Sequence, residues 1–178
     1  MPTYIALLRG INVLGRNSLP MKELRLLFEA EGCRDVRTYI QSGNVIFDSP
    51  AATARRLPLR VAAAVARTRA FEPRVLIITR AELDRAAAGN PFPEADTNPR
   101  SLHVFFLARK PTSPDVAAME TLRTPTERFA LDGKAFYLYT PDGFGPSRLA
   151  DRVERLLGVD ATARNWRTVT TLLEMASS

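Results

Sequence analysis

What most constrains the fold of this 178-residue chain is the order in which two hydrophobic periods alternate along it. Residues 4–8 read as a buried strand. Ser18 and Pro20 then supply helix-start chemistry, and Met21, Leu24, Leu27 and Phe28 follow at helical spacing before Gly32, a natural stop. Residues 36–40 alternate like a second strand, Ser42-Gly43-Asn44 makes a turn, and residues 45–47 form a third strand, so this stretch is expected as a hairpin. A second helix is expected over 57–68, starting late so that Pro58 falls in its first turn. Deeper in a helix a proline removes a hydrogen bond and clashes with the turn before it. Residues 75–79 close the series as a fourth strand. Strand, helix, strand, strand, helix, strand is the ferredoxin-like plan.

A short helix over 80–88 leads into a stretch with Pro91, Pro93 and Pro99, the best candidate linker. Beyond it the order partly repeats: a strand over 102–108, a helix over 114–122, a hairpin of 128–131 and 135–139 around Asp132-Gly133, and helices over 147–157 and 166–176. The reading is therefore α+β: two tandem ferredoxin-like modules of the βαββαβ type, residues 1–97 and 98–178, the second incomplete or modified. Helices in such a module cover one sheet face, yet residues 4–8, 45–47 and 102–107 are apolar on both faces. Something must cover the second face, so the modules are expected to pack together.

Composition removes several classes of function. Hydrophobic residues make up 46% and charged residues 25%, an ordinary globular balance that argues against disorder. No stretch approaches the ~20 apolar residues of a membrane span, and the chain opens without a basic-then-apolar signal pattern, so a cytoplasmic protein is expected. Cys33 is the single cysteine and His103 the single histidine, too few for a disulfide, a zinc site or a histidine-based triad. Cys33 is expected as a small packing residue. The net charge is +6, and Lys22, Lys110 and Lys134 are the only lysines, so the basic charge is nearly all arginine. That fits phosphate recognition by guanidinium forks, but the arginines are scattered along the chain, and an Ala- and Arg-rich coding bias is the favoured reading.

The segment after the first strand, Arg9-Gly10-Ile11-Asn12-Val13-Leu14-Gly15-Arg16-Asn17-Ser18, brings backbone amides, a helix start and two arginines into one place, the physical recipe for an anion site. It lacks the Gly-Lys-Ser/Thr ending of a Walker loop and the three-glycine spacing of a dinucleotide fingerprint. In a split βαβ topology this loop and the turn between the second and third strands lie at the same end of the sheet. Arg9, Gly10, Asn12, Arg16 and Asn17 are therefore expected beside Gln41, Ser42 and Asn44. The competing reading is that the glycines only supply turn dihedrals, while Asn12, Ser42 and Asn44 satisfy loop backbone.

Residues 4–13, then Met21, then Thr38-Tyr39-Ile40-Gln41-Ser42-Gly43-Asn44-Val45-Ile46-Phe47, resemble the signature of a mainly bacterial family of unknown function, DUF1697. Arg164-Asn165-Trp166-Arg167-Thr168-Val169 is similar to that family's C-terminal Arg-Asn-Trp motif. The resemblance implies tandem ferredoxin-like modules and brings no activity with it. Leu14 stands where the family usually has a second glycine, and Pro58 interrupts a helix that is usually smoother. The Arg164–Trp166 segment has two readings of its own. In one, Asn165 caps the last helix and Trp166, Val169 and Leu173 form its buried stripe; in the other, Arg164 and Trp166 add a third wall to the loop edge.

Three functions follow as expectations: binding of a small anionic or phosphorylated ligand at the 9–18/41–44 edge, RNA or single-stranded nucleic-acid binding on the sheet, or a ligand-free protein-interaction module. Tyr4 and Phe47 on neighbouring strands motivate the second, although the third strand lacks the paired aromatic pattern of RNA-recognition modules. Catalysis has little to stand on, because the loop offers no histidine and Asp48 and Glu23 read as surface acids. The residues specify no cofactor, no metal and no oligomeric state.

Overall fold

The computed structural model describes residues 1–178. In the first half β1 (Thr3–Arg9), α1 (Met21–Ala30), β2 (Arg34–Tyr39), β3 (Asn44–Asp48), α2 (Ala51–Arg69) and β4 (Arg74–Thr79) build an antiparallel sheet in the order β2-β3-β1-β4. This is the ferredoxin-like arrangement the order of periods called for. Helix α3 (Arg80–Ala88) follows directly.

Glycine ends α1 as expected, through a Schellman motif. Gly32, at φ +87°, donates to Glu29 O at 3.0 Å, and Cys33 N–H reaches Phe28 O at 3.1 Å. The start of α1 differs from the reading. Pro20 occupies the cap position without a side-chain hydrogen bond, so Ser18 does not cap this helix. Helix α2 differs more: it begins at Ala51 and carries Pro58 in its interior. Burial of Ala54, Leu57, Val61, Ala62 and Val65 along one face holds a helix that proline alone would have shortened.

The second half contains β5 (Leu102–Leu107), α4 (Val116–Leu122), β6 (Arg128–Asp132), β7 (Ala135–Tyr139), α5 (Val153–Leu157), β8 (Ala161–Asn165) and α6 (Trp166–Ala176). Its sheet runs β6-β7-β5-β8, the same order as the first. The second module is thus modified but not incomplete. Its fourth strand, β8, is absent from the sequence expectation because Ala-Thr-Ala-Arg-Asn alternates only the small Ala161 and Ala163 with polar residues, too weak an apolar signal to announce a strand. The expected helix over 147–157 is shorter, a 3-10 turn over Ala150–Arg152 followed by α5. The proline-rich stretch is also ordered, with 3-10 turns at Pro93–Asp96 and Pro99–Ser101.

By its contacts the chain divides into two compact units, Met1–Asp84 with Leu172–Ser178, and Arg85–Thr171. In the first, Ala6, Leu8, Val45 and Phe47 pack with Leu24 and Phe28 of α1 and with Leu57, Val61 and Val65 of α2. In the second, Phe105, Leu107, Phe136 and Leu138 pack with Met119, Val153 and Leu157. Ile5, Leu7 and Ile46, which alternate with the helix-facing positions, are also fully buried, as are Val104 and Tyr137 in the second sheet. Tyr4 and Phe47 stack at 5.8 Å, and Phe47 lies 5.0 Å from Phe28, so the pair belongs to the helix-side core. No helix is long and apolar enough to cross a membrane.

Candidate binding edge

At the end of β1 the chain leaves the sheet through Gly10, at φ +82°, and returns Ile11 to the core. It then makes a small hairpin. Val13 and Arg16 exchange backbone hydrogen bonds of 3.1 and 2.9 Å, and the two residues between them, Leu14 and Gly15, are both left-handed at φ +49° and +73°. Two left-handed central residues are the signature of a type I′ turn, whose twist matches that of its arms. Asparagines close the base. Asn12 N–H donates to Asn17 O at 3.0 Å, and the Asn17 side-chain amide donates to Gly10 O at 2.8 Å. Both asparagines are themselves left-handed, a conformation their short polar side chains tolerate better than most.

Asn12 also ties this hairpin to two neighbours. Its Oδ1 accepts from Leu19 N–H at 2.8 Å, and its Nδ2 donates to Leu19 O at 2.9 Å and to Gln41 O at 2.8 Å. The first pair replaces the side-chain cap that α1 lacks with an anchor one residue before Pro20. The last bond reaches the β2–β3 turn.

That turn is equally constrained. Gly43 O accepts from Leu8 N–H at 2.8 Å, and the buried Asn44 side chain donates to Tyr39 O at 3.1 Å and Ser42 Oγ at 3.0 Å. Gly43 has φ +85°, and a Cβ there would lie 2.7 Å from Leu8 Cβ and 2.8 Å from Ile11 Cδ1. Only glycine meets both demands. The loop and the turn are therefore one packed edge.

Of the residues the sequence singled out, Arg9, Gly10, Asn12, Arg16, Asn17, Gln41, Ser42 and Asn44 come together here. Their roles divide. The amides of Asn12, Asn17 and Asn44 bond to loop and turn partners and hold the shape, while Arg9, Arg16 and Gln41 are exposed. The ladder also sets Arg74, the first residue of β4, directly opposite Arg9. Sequence reasoning missed Arg74 because the β1–β4 register is a non-local property.

Arg164 and Trp166 belong to the second unit. Arg164 is a buried β8 residue whose guanidinium donates to Ala163 O at 2.9 Å, and burial lowers its pKa to about 10, leaving it cationic at neutral pH. Trp166 opens α6 and its Nε1 donates to Asp96 Oδ1 at 3.3 Å. Asn165 Oδ1 accepts from Thr168 N–H at 2.9 Å, which is a helix N-cap. The inward positions of α6 are Trp166, Val169, Leu172 and Ala176, with Leu172 taking the place expected for Leu173.

The edge concentrates backbone strain. Of the chain's six non-glycine residues with positive φ, four lie here: Asn12, Leu14, Asn17 and Ile40. Ile40, at φ +48°, is β-branched, the side-chain class that tolerates this region least. Two apolar side chains in this group face solvent, Leu14 at 96% exposure and Ile40 at 50%, and Val13 beside Leu14 is 53% exposed.

Groups suited to proton transfer sit elsewhere. Glu23 pairs with Arg69, whose hydrogen bond holds its carboxyl below the usual range, and Asp48 accepts from Thr3 Oγ1 at 2.7 Å. Burial pushes the Cys33 thiol up to about 11, which keeps it protonated and unreactive. His103 is stacked on Phe144 at 3.7 Å in the second unit, and burial lowers its pKa to about 4.

Comparison with known proteins bears on this edge and on the fold. The profile of a family described as a protein of unknown function, DUF1697, matches residues 1–137, a span that includes the whole edge. The solved structure of the conserved bacterial protein SP0830 from Streptococcus pneumoniae is similar over 98% of both chains, with a TM-score of 0.63 at 23% identity. At that identity the likeness speaks for the fold. No curated protein matches the chain.

Proposed function

The chain belongs to the DUF1697 family of proteins of unknown function, and from that premise we propose that its loop-and-turn edge binds a small anionic ligand, with phosphorylated compounds as the favoured class. The observation that carries this reading is the Asn12 clasp together with the strain it holds. Left-handed non-glycine residues cost of order 1–3 kcal/mol each, less for asparagine, and persist where surrounding structure over-determines them, commonly at ligand clamps. Four of them are gathered on an edge whose outward groups are Arg9, Arg16 and Gln41. A guanidinium fork pairs with phosphate or carboxylate oxygens through two parallel hydrogen bonds, so Arg16 beside the turn is the residue assigned to the anion. Binding, rather than turnover, fits an edge without a histidine, thiolate or free carboxylate.

A panel of inorganic phosphate, pyrophosphate, nucleotides and sugar phosphates, read by thermal shift, tests the reading. At least one compound should raise the melting temperature of the wild type and lose that effect in Arg16→Ala. Equal protection of both proteins by every compound would remove Arg16 and this edge from the account.

The exposed Val13, Leu14 and Ile40 side chains favour a second reading, in which the same edge docks a protein partner. Leu14→Asn separates the two. It should leave anion binding intact and abolish only a protein–protein contact.

A further inference from the structure

The second unit carries a feature that neither the loop edge nor the fold accounts for. Helices α4 and α5 are joined at one end by Asp115 N–H donating to Leu156 O at 2.9 Å, and beyond that contact they leave an open groove of about 600 Å³. Its apolar part is made by Leu122, Leu156 and Ala118, and Ser113 and Thr121 contribute hydroxyls. Arg152, the last residue of the 3-10 turn before α5, and Arg155, within α5, both line it.

The charges in the groove are unbalanced. Its one carboxylate, Asp115, is committed to the N-cap of α4, where Oδ1 accepts from Ala118 N–H at 3.0 Å. Arg152 and Arg155 have no acidic partner, whereas Arg123 and Arg128 of the same unit are matched with Glu120 and Glu94. Two unmatched guanidinium groups beside a leucine-lined floor fit a ligand that joins an acidic head to an apolar body. The volume lies in the range of small-molecule sites, which excludes a long-chain lipid lying wholly inside it. No aromatic side chain lines the groove, so it lacks the stacking platform that single-stranded nucleic acids use.

We propose that the α4–α5 groove binds a small amphipathic anion, with its carboxylate or phosphate head between Arg152 and Arg155 and its apolar body on Leu122 and Leu156. The site is independent of the loop edge in the first unit.

The test is a backbone-amide NMR titration of the full chain with octanoate, with acetate supplying the head alone and hexanol the tail alone. Octanoate should shift resonances of residues 113–122 and 152–158 and bind more tightly than either control. Arg152→Gln combined with Arg155→Gln should weaken octanoate roughly tenfold or more, the loss expected for hydrogen bonds to a charged group. Both side chains are exposed, so the double variant should keep the wild-type spectrum away from the groove. The proposal is overturned if octanoate leaves the groove resonances unmoved, if acetate binds as tightly as octanoate, or if the double variant binds octanoate like the wild type.

Discussion

Asn12 Nδ2 donates to the main-chain carbonyl of Gln41 at 2.8 Å, joining two loops separated by 29 positions in sequence. The same amide group serves Leu19 from both of its ends. An alanine at position 12 removes all three bonds and adds the cost of a left-handed alanine. Loss of about 2 kcal/mol is expected in urea unfolding. Amide exchange should quicken in residues 10–19 and 40–44 and stay unchanged in the second unit. Uniform quickening across the chain would mean that the clasp is not local.

Gly43 is held by two constraints at once, its φ of +85° and the 2.7 Å approach to the Leu8 Cβ position. Gly43→Ala should therefore cost roughly 2 kcal/mol or more, because neither backbone nor neighbour can yield cheaply. Gly15→Ala provides the comparison. It shares the left-handed backbone but meets nothing within 4 Å, so its cost should be the smaller of the two.

Leu14 runs the other way. It is left-handed and 96% exposed, so glycine there relieves strain and gives up almost no buried surface. Leu14→Gly is expected to stabilise the protein by about 1 kcal/mol, read as a rise in the urea midpoint. A fall would show that the leucine makes a contact that this exposure does not reveal.

His103 should leave a signature in acid. Its folded-state pKa, lowered to about 4 by burial, lies below the ordinary value of 6.5. Between those values the unfolded chain takes up a proton that the folded protein refuses. The stabilisation from keeping His103 neutral is thus fully present above pH 6.5 and is lost as pH falls toward 4. About 3 kcal/mol is at stake over that window. His103→Phe, which preserves stacking on Phe144, should flatten the pH dependence relative to the wild type. Parallel stability curves for the two proteins would contradict the assignment.

The elements that could be read from sequence are those whose signals are local. The apolar run of β1, the stripe Leu24–Phe28 ended by Gly32, and the turn at Ser42-Gly43-Asn44 each announce themselves within a few residues. Strand β8 does not, since its pairing with β5 is set by position in the sheet and not by its own alternation. Pro58 misled for a related reason: tertiary burial along α2 outweighed the local penalty. At the edge, the meeting of loop and turn was legible from topology. The division of labour within it was not, because whether an asparagine faces solvent or a carbonyl depends on geometry of fractions of an ångström. Arg74 could not be seen at all without the β1–β4 register.

The central claim, an anion held at the Asn12-clasped edge, is tested most directly by titrating pyrophosphate into isotope-labelled protein and following the backbone amides. The account predicts saturable shifts confined to residues 9–18 and 41–44 in the wild type, weakened by tenfold or more in Arg16→Gln. Shifts that scatter over the surface arginines, or saturable shifts at the edge that Arg16→Gln leaves unchanged, would contradict it.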